Sequence, residues 1–262
     1  MKRLALLLFV LLIPNAHAEE TTKSVVECMR TRVPPFLTIG QLELTTYDRV
    51  GGSRTLQGRL YSSKENGGPQ GAMMHATLRV DAPAEFKGAA YLVRETDDYL
   101  RDGMFVYLPG VKRVRRVTGT FADASLLGTN FSYFDFKQLQ NAFVDLLAES
   151  LVTEQVNGRP AYVLTARAVP GTETRYTMAK VWVDQQACVA VRAEFWDNKK
   201  VSKELSSPAG SLRKSGELWY VSEIEMRDAS SGTRTVLKTG KLDAAKPPAS
   251  RYFDPNTFHL GP

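Results

Sequence analysis

Histidine and cysteine are scarce in this chain, with three His and two Cys in 262 residues. Nucleophilic catalysis needs a Ser, Cys or Thr beside a base that is usually His, and zinc or iron sites draw on the same two residues. One of the three, His17, lies in the small-residue stretch that follows the N-terminal hydrophobic run; His75 lies in a run that reads as strand interior, and His259 sits three residues from the C-terminus. There is no Gly-x-Ser-x-Gly elbow, His-Glu-x-x-His, Cys-x-x-Cys, phosphate loop or Gly-x-Gly-x-x-Gly. The carboxylate pairs Asp97 with Asp98 and Glu223 with Glu225 are adjacent or alternating acids, which on strands are usually solvated. No catalytic residue, metal site or cofactor is therefore expected, and the chain reads as a non-enzyme.

Long hydrophobic runs are also lacking, except at the N-terminus. There Lys2-Arg3 precedes Leu4 to Ile13, and the small-residue site Ala16-His17-Ala18 follows. Ten apolar residues fall short of the roughly 20 that span a bilayer, so residues 1–18 read as a cleaved signal peptide. The expected product is a single domain over 19–262 with no transmembrane segment, soluble in the periplasm. Loss of Lys2 and Arg3 lowers the formal net charge from +6 to +4, too mild a bias for a nucleic-acid stripe. In an oxidising compartment two cysteines most simply form one bridge, Cys28 to Cys188, worth up to about 5 kcal/mol in the chain-entropy model.

What is plentiful is strand. From residue 41 to 239 the sequence alternates apolar and polar residues between turn clusters such as Gly51-Gly52, Asn157-Gly158 and Ser230-Ser231-Gly232, an antiparallel β signature. Several strands carry large apolar groups on both sides, so both faces are expected to be covered in places. Pro247-Pro248 reads as a crossing loop before a last segment, Tyr252 to Leu260. Two segments read as helical. One is 21–32, ended by Val33-Pro34-Pro35. The other is 135–149, where Phe136, Leu139, Phe143, Leu146 and Leu147 recur at helical spacing, with Ser132 and Asp135 as a capping box at its start.

The most distinctive stretches are Tyr107-Leu-Pro-Gly-Val-Lys-Arg-Val-Arg-Arg-Val117 and Leu127-Gly-Thr-Asn-Phe-Ser-Tyr-Phe-Asp135. Together with Lys180-Val-Trp-Val-Asp184, Arg192 to Asp197, Trp219 to Met226, Thr233 to Val236 and Phe253 to Leu260, they resemble the LolA-like outer-membrane lipoprotein-sorting family. Asn130 stands where the family pattern usually has Asp, and Phe134 where it usually has Glu. The resemblance implies a mainly β fold with helices, a half-open antiparallel β-barrel (LolA/LolB-like) closed by a helical lid around an apolar cavity. It implies a periplasmic carrier that takes lipid or lipoprotein acyl chains toward the outer membrane, with an RND-type inner-membrane transporter as partner.

On that reading Phe131, Tyr133, Phe136, Leu139, Phe143, Leu147 and Trp182 form the lipid-binding and lid set. Arg113, Arg115 and Arg116 are candidates for a lipid head group or a protein partner, since a guanidinium fork matches phosphate. Alternation puts Arg113 and Arg115 on one face and Arg116 with Val114 on the other, so the three cannot share one site. Two competing readings are an accessory protein of an RND-type transporter that carries no lipid, and a hydrolase of an envelope lipid, which the missing triad disfavours.

Overall fold

The computed structural model describes residues 21–260 apart from 69–70, 97–102, 141, 144, 173 and 246–249. The leader at 1–18, the Asp97 and Asp98 pair and Pro247-Pro248 lie outside the described residues. The chain opens with helix α1 (Thr22–Thr31), whose N-cap Thr21 accepts from the Ser24 amide while the Ser24 hydroxyl accepts from Thr21 in return. Six strands follow: β1 (Thr38–Tyr47), β2 (Ser53–Gly68), β3 (Gly71–Ala82), β4 (Ala90–Arg94), β5 (Gly103–Leu108) and β6 (Arg113–Val117). A 3-10 turn at Gly119–Asp123 leads to helix α2 (Tyr133–Gln140). The second half contains β7 (Leu146–Val156), β8 (Arg159–Ala168), β9 (Met178–Asp184), β10 (Ala190–Asp197) and β11 (Lys200–Ser206). A small hairpin of β12 (Leu212–Ser215) and β13 (Leu218–Val221) precedes β14 (Glu223–Asp228) and β15 (Arg234–Ala244).

Among the described residues, thirteen of these strands form one antiparallel sheet in the order β6-β5-β4-β3-β2-β1-β15-β14-β11-β10-β9-β8-β7. The two meanders join where β15 pairs with β1, and β6 and β7 are left as unpaired edges. The sheet is not closed, as a half-open barrel requires. The chain passes from one edge to the other through the 3-10 turn and α2, so the segment carrying the distinctive loop is also the one that crosses the sheet.

Register separates two apolar faces. Leu60, Leu78, Tyr91 and Val106 lie in one row across β2 to β5 and belong to the main core, together with Val25 and Met29 of α1 and Phe136 of α2. We call this the inner face. One residue out of phase, Tyr61, Thr77, Leu92 and Phe105 form the outer row, where a second core includes Leu37, Phe253 and Phe258. The coverage of both faces expected from the sequence is met here by the C-terminal segment.

The helix expected over 135–149 is a correction. α2 ends at Gln140, and Ala142 and Phe143 both have positive φ, 59° and 60°, which turns the chain out of the helical path. From Leu146 onward the chain pairs with β8, with Val156 opposite Arg159 and Leu146 opposite Ala168. Asn157 and Gly158, both at positive φ, make the tight turn between them. Helical spacing in 143–147 was overridden by strand partners about twenty residues further on, Ala168 for Leu146 and Arg167 for Leu147.

Candidate functional site

The inner face is not filled. A cavity of about 220 Å³ lies between α1, β1 to β3, β15, α2 and the β13 strand of the small hairpin. Its floor is Leu42, Leu60, Met74, Ile224, Leu237 and Leu242 from the sheet. Phe136, Leu139 and Phe143 close it from one side, and Leu218, Trp219 and Tyr220 from another. The volume exceeds the roughly 150 Å³ apolar void that binds a benzene, but is below the roughly 300 Å³ at which whole drug-sized ligands are usually held. With α2 in place the space would hold a short apolar segment, and anything larger would need α2 or the hairpin to move.

α2 is held by its first turn. The Ser132 amide donates to Asp135 Oδ2 at 2.7 Å and the Asp135 amide donates to Ser132 Oγ at 3.0 Å, which is the expected capping box. Asp135 is fully buried and also accepts from Lys203 Nζ at 2.6 Å and from the Tyr176 hydroxyl at 2.8 Å. Burial first, and then the neighbouring Asp135 charge, push the Tyr176 phenol far above its ordinary range and keep it a donor. At the other end, Lys137 and Gln138 both donate to the Asp145 carboxylate, at 2.9 and 2.6 Å.

The loop before α2, which the sequence singled out, is fixed to the sheet by side chains. Asn130 donates to Thr233 Oγ1 at 2.6 Å and accepts from Thr235 Oγ1 at 2.9 Å, so the amide that replaces the usual acid bonds the loop to β15. Arg54 donates to the Leu127 carbonyl at 2.9 Å. Gly128, at φ +77°, sits against that guanidinium, and a Cβ there would collide with it. Phe134 is buried and packs near Tyr176, at 6.1 Å between ring centres.

Of the seven residues expected to meet lipid, Phe136, Leu139 and Phe143 line the cavity. Phe131 and Tyr133 are buried but do not line it; the Tyr133 carbonyl accepts from the Tyr91 hydroxyl at 2.7 Å. Two further placements are corrected. Leu147 is 59% exposed on β7 and lines no part of the cavity, because the helix that would have carried it ends earlier. Trp182 is buried, but on the face of β9 that carries Val163 and Arg192 rather than Val181 and Ala193. There its indole donates to Glu154 at 2.7 Å, and Arg192 stacks 4.6 Å from its ring centre.

Arg113 and Arg115 are exposed on edge strand β6, while Arg116 lies over the Phe105 ring at 5.9 Å on the outer face. Register divides them as alternation requires, Arg115 opposite Val106 and Arg116 opposite Phe105. None of the three lines the cavity.

The Cys28–Cys188 disulfide joins α1 to the β9–β10 turn with the Cα atoms 5.7 Å apart, and Cys188 forms part of the cavity wall. That turn is organised by Asp184, which accepts from the Ala187 and Gln186 amides and from Arg159. Burial alone would raise its carboxyl; the Arg159 bond and the two amides outweigh burial and hold it below the usual carboxylate range.

Sequence reasoning missed the small hairpin, whose Leu218, Trp219 and Tyr220 reach the cavity. It also missed Arg32, the C-cap of α1, which is the one charged residue among the described residues that line it. The run Leu218-Trp-Tyr-Val221 reads from sequence as part of one longer strand over 217–228, and Arg32 carried no signal of its own.

These elements define a LolA-like fold: a half-open antiparallel sheet with helices across its inner side and an apolar cavity beneath them. Residues 74–259 match the model of an uncharacterized-protein-like family, the DUF1329 family, and the chain belongs to that family. Among solved structures it is similar to a DUF1329 family protein from Desulfovibrio piger, with 23% identity, a TM-score of 0.75 and coverage of 88% of this chain and 95% of that one. It is likewise similar to an outer membrane lipoprotein-sorting protein domain from Vibrio parahaemolyticus, with 22% identity, a TM-score of 0.77 and coverage of 90% and 97%. A LolA superfamily protein from Nitrosomonas europaea aligns at 18% identity with a TM-score of 0.67, covering 89% and 97%. At these identities the likeness establishes the fold. No curated protein matches the chain in sequence. Among the described residues, no helix is long and apolar enough to cross a membrane.

Proposed function

We propose that this protein is a non-catalytic periplasmic carrier that shelters the acyl chains of a lipid or lipoprotein in the cavity under α2 and moves them toward the outer membrane. The observation that carries the reading is the cavity itself, an apolar space on the inner face walled by Phe136, Leu139 and Phe143 and by Leu218 of the hairpin. Each methylene moved from water into such a space gains about 0.8 kcal/mol, which gives a soluble host a reason to keep it. The names of the Vibrio and Nitrosomonas relatives support the same class of role. Arg113 and Arg115, exposed on an edge strand away from the cavity, fit a partner-facing role better than a head-group role, and an RND-type inner-membrane transporter is the partner we propose.

Native mass spectrometry of the protein released from the periplasm of expressing cells tests the carrier reading. Adducts with the mass of acyl lipids, lost on organic extraction and restored by adding lipid, are expected. Bare protein that also fails to take up a fluorescent fatty acid after extraction overturns it. If that bare protein co-purifies with an inner-membrane transporter, the reading as an accessory that carries no lipid takes its place.

A further inference from the structure

Arg32 is the point where an otherwise uncharged and mostly apolar cavity wall carries a charge. A guanidinium stays protonated at any physiological pH, and Arg32 is half-buried on this wall, so an anion beside it would gain from a partly desolvated charge. Its Nη1 atom is shut off from solvent and has no hydrogen-bond partner among the described residues. Burial pulls the group down from its ordinary range and the nearby Asp184 charge pushes the other way. Asp184, however, is already taken up by Arg159 at 2.6 Å and by the amides of its own turn. The other cations near this end of α1 have acceptors of their own: Arg30 pairs with Glu95 at 2.7 Å, and Lys64 donates to the Thr31 carbonyl at 2.8 Å. The carbonyl end of α1 favours a positive charge here but offers it no bond. Gln140 and Ser62 line the same space and supply neutral polar groups near an acyl wall.

We infer that the ligand of this cavity is an acyl chain ending in an anionic group, a carboxylate or a phosphate, and that Arg32 binds that group while the chain lies on Leu42, Leu60 and Leu237. The inference rests on the carrier reading and narrows it, because a fully acylated lipoprotein terminus carries no such anion next to its chains. A planar guanidinium can take either head group through two parallel N–H donors, which is what makes Arg32 more than a source of positive potential.

The test compares three probes of equal chain length on the delipidated protein: palmitate, hexadecyl phosphate and hexadecanol, each competing with a fluorescent fatty acid analogue. Charge-assisted bonding predicts that at least one anionic probe binds about tenfold or more tighter than the alcohol. Arg32→Gln is expected to shrink that preference to less than about twofold, and Arg32→Lys, which keeps the charge, to retain an intermediate preference. Preference for palmitate alone assigns a free carboxylate, and preference for hexadecyl phosphate assigns a lipid phosphate; either supports the inference. Equal binding of all three by the unaltered protein overturns it and leaves the carrier reading standing. An anion preference that survives in a folded Arg32→Gln protein, checked by its thermal midpoint, also overturns the role of Arg32. Binding of none of the three overturns both readings.

Discussion

The two faces of the same sheet are covered in opposite ways. On the outer face the chain supplies its own aromatics: Tyr252 stacks on Tyr61 at 4.6 Å, Thr77 donates to the Tyr252 carbonyl at 2.5 Å, and Phe253 and Phe258 are buried against Leu92 and Phe105. On the inner face α2 brings Phe136, Leu139 and Phe143 to the sheet and still leaves about 220 Å³ open. Protein interiors normally pack to crystal-like density, and voids cost stability through lost contacts. A chain that seals one face with a short terminal segment does not lack the means to seal the other. The inner gap is therefore a property of how α2 is anchored: its N-terminus is fixed by buried polar bonds, while its apolar side only leans on the cavity.

The largest expected effect comes from breaking that anchor. Asp135 and Lys203 are 0% and 6% exposed and 2.6 Å apart. Removing one charge strands the other, which typically costs about 3 to 5 kcal/mol. Asp135→Asn should therefore lower stability by about that amount in urea unfolding, and adding Lys203→Met should recover part of it. A loss below about 1 kcal/mol would mean that α2 is held chiefly by its apolar contacts, and the contrast between a fixed N-terminus and a yielding apolar side would disappear.

A paired truncation measures the contrast directly. Phe258 is 1% exposed in the filled outer core, so Phe258→Ala should cost about 3 to 5 kcal/mol and leave lipid uptake unchanged. Phe143 borders the void, so part of its ring already lacks neighbours, and Phe143→Ala should cost only about 1 to 2 kcal/mol while altering uptake of a fluorescent fatty acid. Equal losses above about 3 kcal/mol, with uptake unaffected in both, would make Phe143 ordinary core.

How much of this was legible follows from where the information sits. The meander, the disulfide and the Ser132–Asp135 cap are local or arithmetic features, and the sequence shows them. The loop from Leu127 to Asp135 was recognisable as special, and Asn130 and Gly128 explain why, since both meet partners on strands far away in the chain. The extent of α2 was not legible. Phe143, Leu146 and Leu147 fit a helical stripe, and only the pairing of 146–156 with 159–168 across Asn157-Gly158 shows that the chain has already left the helix. Trp182 illustrates a second limit: with large apolar side chains on both faces of β9, alternation marks which residues share a face but not which face is the inner one. Arg32 was invisible for a third reason, because an arginine after a short amphipathic helix is unremarkable until its surroundings are found to offer its Nη1 no acceptor.

The smallest expected effect is also the sharpest check on that account. Leu147 lies on edge strand β7 with 59% of its surface exposed, so Leu147→Ser removes little buried area, and an exposed edge position tolerates the change in strand preference. Stability should stay within about 0.5 kcal/mol and lipid uptake should not change. The alternative is a loaded protein in which α2 lengthens through 149, peels the start of β7 from β8 and turns Leu147 toward the ligand. That rearrangement would give up the pairs from Leu146–Ala168 to Ala148–Ala166, and the apolar ligand contact of Leu147 would have to compensate for them. Under it, Leu147→Ser would weaken uptake while leaving the empty protein as stable as before. Unchanged uptake confines the movable cover to Tyr133–Gln140 and the hairpin, and keeps β7 a fixed edge in both states.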